Sequence, residues 1–389
     1  MDAVTANAIP SRPPAGGRAD SWTLPALVAG ATLVTIGLTW DISWHVTIGR
    51  DTFWTPAHLA IYLGGATGGL ICGWLAVRTT YFASAAERAA SVGFWGGRAP
   101  LGVWLAIWGA VAMLTSAPFD NWWHNAYGLD VKILSPPHVL LFLGILGLRV
   151  GTWLLLLREQ NRPGGSAAAP WLFCWIGGLV TGGSIGLMLT QIWPNRQHSS
   201  GYFLLISVML PFFLCMVGEA SKLKWGATIA MGGNMLLGCA MLWILPLFPA
   251  VPKLGPIYNP VTHMVPGPFP QWEIVPAILA DLLRQRLGSR AGWRYAAIFA
   301  GVFSVLFLIT FLPVQWEFSK FLMTPAANNW FFGGGRMWGY NAVPGPGWRE
   351  FFPDEAGWTL PSVAAALLAA VISAFAGVRL GRWMLRIQR

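Results

Sequence analysis

The chain has 389 residues, 55% of them hydrophobic and only 10% charged, with a mean hydropathy of +0.54. A soluble domain carries about 25% charged residues, so a water-soluble globule and a disordered chain are both excluded, and the polytopic membrane class remains. The net charge of +10 does not imply nucleic acid, because the basic residues fall in short connections beside apolar segments, where they orient a chain and meet anionic lipid.

Ten apolar segments follow one another: Trp22–Trp44, Pro56–Val77, Leu101–Pro118, Pro137–Leu157, Trp171–Trp193, Tyr202–Ala220, Ala227–Leu247, Trp272–Leu283, Ala296–Val314 and Trp358–Val378. The expected fold is an all-α polytopic membrane helical bundle of about ten spans. The eighth segment is short and carries Glu273, Pro276 and Asp281, which suggests a tilted, broken or re-entrant element. With both termini in the cytoplasm, 18 of the 25 Lys and Arg residues fall on the inner side, Arg149 among them. The expected location is therefore a bacterial-type inner or cell membrane. Residues 1–21 read as a cytoplasmic lead and 22–157 as a duplicated hairpin region of four spans. Further membrane helices follow over 158–314, an outer-side cap over 315–357, and a last span with a basic tail over 358–389.

All six histidines fall at outer ends in this topology, and four belong to an internal repeat. The first copy, DISWHVTIGRDTFWTPAHLAIYLG, starts at Asp41, and the second, DNWWHNAYGLDVKILSPPHVLLFLG, starts at Asp120. They align Asp41 with Asp120, His45 with His124, Gly49 with Gly128, Asp51 with Asp130 and, after one inserted residue, His58 with His138. Each copy reads as a helical hairpin bent outward, so the repeat is parallel. Asp and His at i and i+4 share a helical face. A proline in the first turn of the next helix brings the second histidine back toward them. Two imidazoles and one carboxylate per hairpin form a ligand set for a divalent transition metal with open positions. The expected metal ligands are Asp41, His45 and His58, and Asp120, His124 and His138. Asp51 and Asp130 read equally as partners of a ligand histidine or as solvated loop carboxylates.

The stretch RDTFWTPAHLAIYLG, preceded by D-x-x-x-H, resembles the copper-site region of the C subunit of the particulate methane and ammonia monooxygenases, over roughly residues 30 to 150. The resemblance implies that Asp41, His45 and His58 hold a membrane copper and act as the catalytic site. It implies a neighbouring second triad at Asp120, His124 and His138, where this chain departs by having Asp in place of Asn. It also implies other subunits, including one with a soluble copper-binding domain, and a small apolar substrate oxidised with O2. Copper is the expected cofactor, with zinc and iron open.

The remaining signals are weaker. His198 and His263 share the outer side and could assist a site, although single interfacial histidines are commonplace. Glu219 near Lys222 and Asp281 near Arg284 read as local ion pairs at inner helix ends. The four cysteines and the methionines of the later segments read as packing residues. The alternative function is a non-enzymatic copper or zinc binder or transporter. The stretches LAIYLGGATGGLICGWLAV and VLLFLGILGL below the triads offer almost no polar path, which favours a fixed site.

Overall fold

Apolar runs of this length satisfy their backbone polar groups in lipid only as helices, and helices dominate the chain. The computed structural model describes residues 22–49, 52–128, 134–188, 192–288, 292–343 and 359–387. Its main elements are α1 (Thr23–Thr47), α2 (Pro56–Tyr81), α3 (Ala85–Ala89), α4 (Leu101–Tyr127), α5 (Pro136–Asn161), α6 (Ala169–Gly186), α7 (Ser200–Ala220), α8 (Gly226–Ile244), α9 (Ile274–Leu287), α10 (Trp293–Leu322) and α11 (Leu360–Met384). Each of the ten apolar segments is helical, but among the described residues eight helices are long and apolar enough to cross a membrane. Two helices fall short. α6, at 18 residues, is diluted by glycine, and α9 has only 14. At 1.5 Å per residue α9 covers roughly 21 Å, less than a hydrocarbon core of about 30 Å.

The other departures from expectation have local causes. α4 runs through Pro118 for more than two further turns, carrying Asp120 and His124 on regular helix. α10 continues to Leu322, so the outer cap begins later than residue 315. The connection after α3 holds a two-stranded hairpin, β1 (Val92–Phe94) with β2 (Gly97–Ala99), turning through Trp95 and Gly96 at positive φ.

Two apolar cores meet along α1 and α5. The first joins α1, α2, α4 and α5. There α4 and α5 approach at glycine: a Cβ on Gly109 would lie 2.3 Å from the Leu148 nitrogen, the close contact that lets dispersion hold helices together in lipid. The second core spans α6 to α11. Its spine is Phe299, Phe303, Phe307 and Phe311 on α10, four residues apart, each at most 1% exposed, with successive ring centroids 5.2–6.2 Å apart.

The eighth predicted segment forms one short, unbroken helix, and an irregular stretch precedes it. The chain leaves α8, crosses Phe248–Glu273 without a helix and only then enters α9. Residues 248–263 of this limb are exposed or half-buried, but Val265, Phe269, Gln271 and Glu273 are buried, so the irregular backbone of its last part is tolerated because protein surrounds it. At the opposite end of the bundle, Asp281 lies 3.6 Å from Arg284 as a local pair. Glu219 does not pair with Lys222: it meets Arg382 of α11 at 2.9 Å and accepts the Tyr295 hydroxyl at 2.6 Å, while Lys222 donates to the Gln160 carbonyl. All four cysteines are buried and free, and Met188, Met216, Met231, Met235 and Met241 are buried packing residues.

Candidate metal centre

Both hairpins bring an aspartate against two imidazoles. Asp41 and His45 lie one turn apart near the end of α1, and His58 lies in the first turn of α2, after Pro56 at the helix start. Asp41 Oδ1 is 3.2 Å from His58 Nε2, and Oδ2 is 3.8 Å from His45 Nε2. Asp120 and His124 lie on α4, with His138 in the first turn of α5 after Pro136 and Pro137. Asp120 Oδ2 is 3.4 Å from His124 Nε2, and Oδ1 is 3.5 Å from His138 Nε2. In each case the carboxylate is the vertex and the histidines the two arms.

Hydrogen bonding constrains which ring nitrogen faces the carboxylate. His58 Nδ1 lies 3.0 Å from the Thr52 carbonyl, and His124 Nδ1 lies 3.3 Å from the Gly128 carbonyl. A carbonyl only accepts, so Nδ1 carries the proton in both rings. In the neutral ring Nε2 then presents a lone pair toward a carboxylate oxygen, an arrangement that calls for a cation between them, either a second proton or a metal. Asp41 Oδ1 sharpens the point: it is buried and has no hydrogen-bond partner among the described residues. Backbone acceptors at Nδ1 are also what orients ligand imidazoles in metal sites.

The flanking geometry is partly shared. Gly49 and Gly128 both follow the first histidine by four residues at positive φ, 80° and 86°, where a side chain would be strained. An aromatic ring lies one turn below each second histidine, Tyr62 at 5.9 Å from His58 and Phe142 at 6.5 Å from His138. The Thr55 side chain caps α2 by accepting from the His58 amide, whereas the buried Ser135 hydroxyl at the start of α5 makes no hydrogen bond among the described residues.

The first hairpin is also braced from the far half of the chain. Ser43 donates to the Val265 carbonyl at 2.6 Å and Thr47 accepts from the Val265 amide at 2.8 Å. The Lys253 and Tyr340 amides donate to the carbonyls of Ile48 and Val46. Sequence reasoning missed this brace, although the hydroxyls of Ser43 and Thr47, absent from the aligned Trp122 and Ala126, were its signal.

Among the described residues no group of three or more His, Cys, Asp or Glu side chains is arranged to hold a metal ion as it stands. The contacts are pairwise, and His45, with its side chain 38% exposed, is the loosest arm. Asp51 and Asp130 lie outside the described residues. His198 is 4% exposed and packs edge-on against Trp316, and His263 is exposed in a bridge with Pro249. His198 stands in the connection between α6 and α7 and His263 in the limb between α8 and α9, neither in either hairpin. No protein-family model, curated protein or solved structure matches this chain.

Proposed function

We propose that the two hairpins are paired metal centres of a membrane oxidoreductase resembling the copper membrane monooxygenases, with Asp41, His45 and His58 as the redox-active site and the second triad as its companion. The observation that carries this reading is the buried carboxylate oxygen of Asp41 facing the Nε2 of a histidine whose Nδ1 proton is already committed to a backbone carbonyl. Ligand atoms around a tetrahedral ion at about 2.0–2.2 Å stand roughly 3.3 Å apart, and the observed separations of 3.2–3.8 Å bracket that value. A modest inward turn of His45 completes the first set. Copper bound there would supply the redox chemistry and leave coordination positions open.

The protein's own contribution is to hold and to exclude. Thr52 and Gly128 fix the ring orientations, and Tyr62 and Phe142 back the second histidines. The lipid-facing helices around the hairpins admit a small apolar substrate from the bilayer. In this reading the triads face the outer side of a bacterial-type cell membrane, both termini are cytoplasmic, and partner subunits, one with a soluble copper-binding domain, complete the assembly. A fixed site is favoured over a metal conduit because Arg149, a buried cation, lies eleven residues beyond His138 on the same helix, about 16 Å deeper.

Metal analysis with electron paramagnetic resonance on purified protein tests the reading. Copper content should fall by about half in His58→Ala and again in His138→Ala if the sites fill independently, and oxygen-dependent product should vanish in Asp41→Ala membranes that still contain the inserted protein. Unchanged copper content in both histidine variants would leave the triads as imidazolium–carboxylate staples.

A further inference from the structure

Two ionisable side chains lie near the middle of the bundle, away from both triads, and among the described residues neither has a counter-ion at contact distance. Arg149 is the fourteenth of the 26 residues of α5 and 5% exposed. It donates to Thr35 Oγ1 at 2.8 Å and to the Leu179 carbonyl at 3.4 Å, while its buried Nε has no partner among the described residues. Sequence reasoning had counted it as an inner-side charge. Glu273 is also 5% exposed, at the point where the extended limb turns into α9. It accepts a hydrogen bond from Asn234, near the middle of α8, at 3.2 Å. Among the described residues neither makes a salt bridge, and an unpaired charge at this depth is costly.

Two consecutive glycines of α6 bring them into relation. A Cβ on Gly183 would lie 2.5 Å from an Arg149 terminal nitrogen, and a Cβ on Gly182 would lie 2.2 Å from Asn234 Oδ1. Arg149 therefore meets the α6 backbone one residue from where the amide that holds Glu273 meets it. Toward the outer end, Glu273 continues into a buried polar column. Tyr202 donates to Gln271 at 2.7 Å, and Gln315 accepts from the Trp272 amide at 2.9 Å and donates to Gln197 at 2.6 Å.

We propose that Glu273 is a proton-exchanging carboxyl at the bilayer centre, and that Arg149, across the Gly182–Gly183 notch, is the positioning charge that allows it to ionise. The other ionisable groups on the surrounding elements are Cys174 on α6, Tyr202, Cys215 and Glu219 on α7, Cys239 on α8, Asp281, Arg284 and Arg286 further along α9, and Arg294, Tyr295, Glu317 and Lys320 on α10; Glu219 is engaged by Tyr295 and Arg382. Asp281 is engaged by Thr228 and Arg284. α6 and α8 present glycine and Asn234, and α10 presents neutral Gln315. Proton exchange here is independent of copper and of the two triads.

Infrared titration of the full chain in lipid nanodiscs tests the proposal. A protonated-carboxyl C=O band should disappear as pH rises, and this band should be absent from Glu273→Gln. In Arg149→Gln the midpoint should move up by about one pH unit or more, because loss of a nearby positive charge disfavours the carboxylate, while Arg149→Lys should stay near wild type. Asn234→Leu, which removes the hydrogen bond to the ionised oxygen, should also raise the midpoint and serves if Glu273→Gln does not assemble. A wild-type spectrum with no titrating band lost in Glu273→Gln overturns the proposal, as does a midpoint indifferent to Arg149→Gln.

Discussion

The two hairpins carry the same three donor residue types in the same order, yet they are stabilised in opposite ways. The first has a backbone pinned by loops from the far half of the chain and a loose donor set, 3.2 and 3.8 Å from its carboxylate, with His45 substantially exposed. The second has an even donor set, 3.4 and 3.5 Å, with all three side chains no more than 24% exposed. Its tip lacks the Ser43 and Thr47 hydroxyls, and Trp122 and Tyr127 stand exposed there. Ligand geometry and backbone rigidity are therefore separable properties. The first hairpin combines a braced frame with one exposed arm, and the second combines even spacings with a tip for which no such brace is seen among the described residues.

The contrast is broken most severely at the paired glycines. Both occupy positive φ, but a Cβ on Gly49 would lie 2.2 Å from the Tyr340 hydroxyl, whereas a Cβ on Gly128 meets nothing within 4 Å among the described residues. Gly128→Ala should cost about 2 kcal/mol through backbone strain alone, and Gly49→Ala about 4 kcal/mol once the clash is added, as read by denaturation in detergent. Equal losses would mean that Tyr340 does not hold the first tip.

Amide hydrogen exchange sharpens the same contrast without mutation. Amides of residues 44–49 should exchange about tenfold more slowly than those of residues 123–128, because opening the first tip also breaks bonds to Val265, Lys253 and Tyr340. Similar rates would show the brace to be energetically idle.

Smaller effects should follow the individual hydroxyls. Ser43→Ala and Thr47→Val each remove one buried hydrogen bond to Val265, a loss of about 1 kcal/mol, and should speed exchange at the first tip only. Thr55→Ala should likewise cost about 1 kcal/mol by removing a cap. Ser135→Ala should change stability by no more than about 0.5 kcal/mol, since its hydroxyl caps nothing among the described residues. A larger loss at Ser135 than at Thr55 would invert the assignment.

What was legible in the sequence was local. The spacing of Asp41 to His45 and of Asp120 to His124 forces a shared helical face, and proline before His58 and His138 returns the chain, so pairwise convergence could be read directly. Glu273, Pro276 and Asp281 marked the eighth segment as abnormal. What escaped depends on contacts between distant residues or on depth. Nothing near Glu219 announces that Arg382, 163 residues away, is its partner. Counting Arg149 among the inner-side charges missed its depth, because α5 runs a further twelve residues beyond it and the cation is buried at mid-helix. The limb from Phe248 to Glu273 has no periodicity, so its docking on α1 left no pattern to follow.

The brace also has a consequence in time. The residues of the second triad have all emerged by about position 145, but the first hairpin lacks its final backbone contact until Tyr340 has been made and can donate to the Val46 carbonyl. At about 5–20 residues per second, the roughly 200 intervening residues take about 10–40 s to synthesise. During that interval the second triad has all its residues in place while the first is still without its brace, so the two hairpins settle in the reverse of their order along the chain.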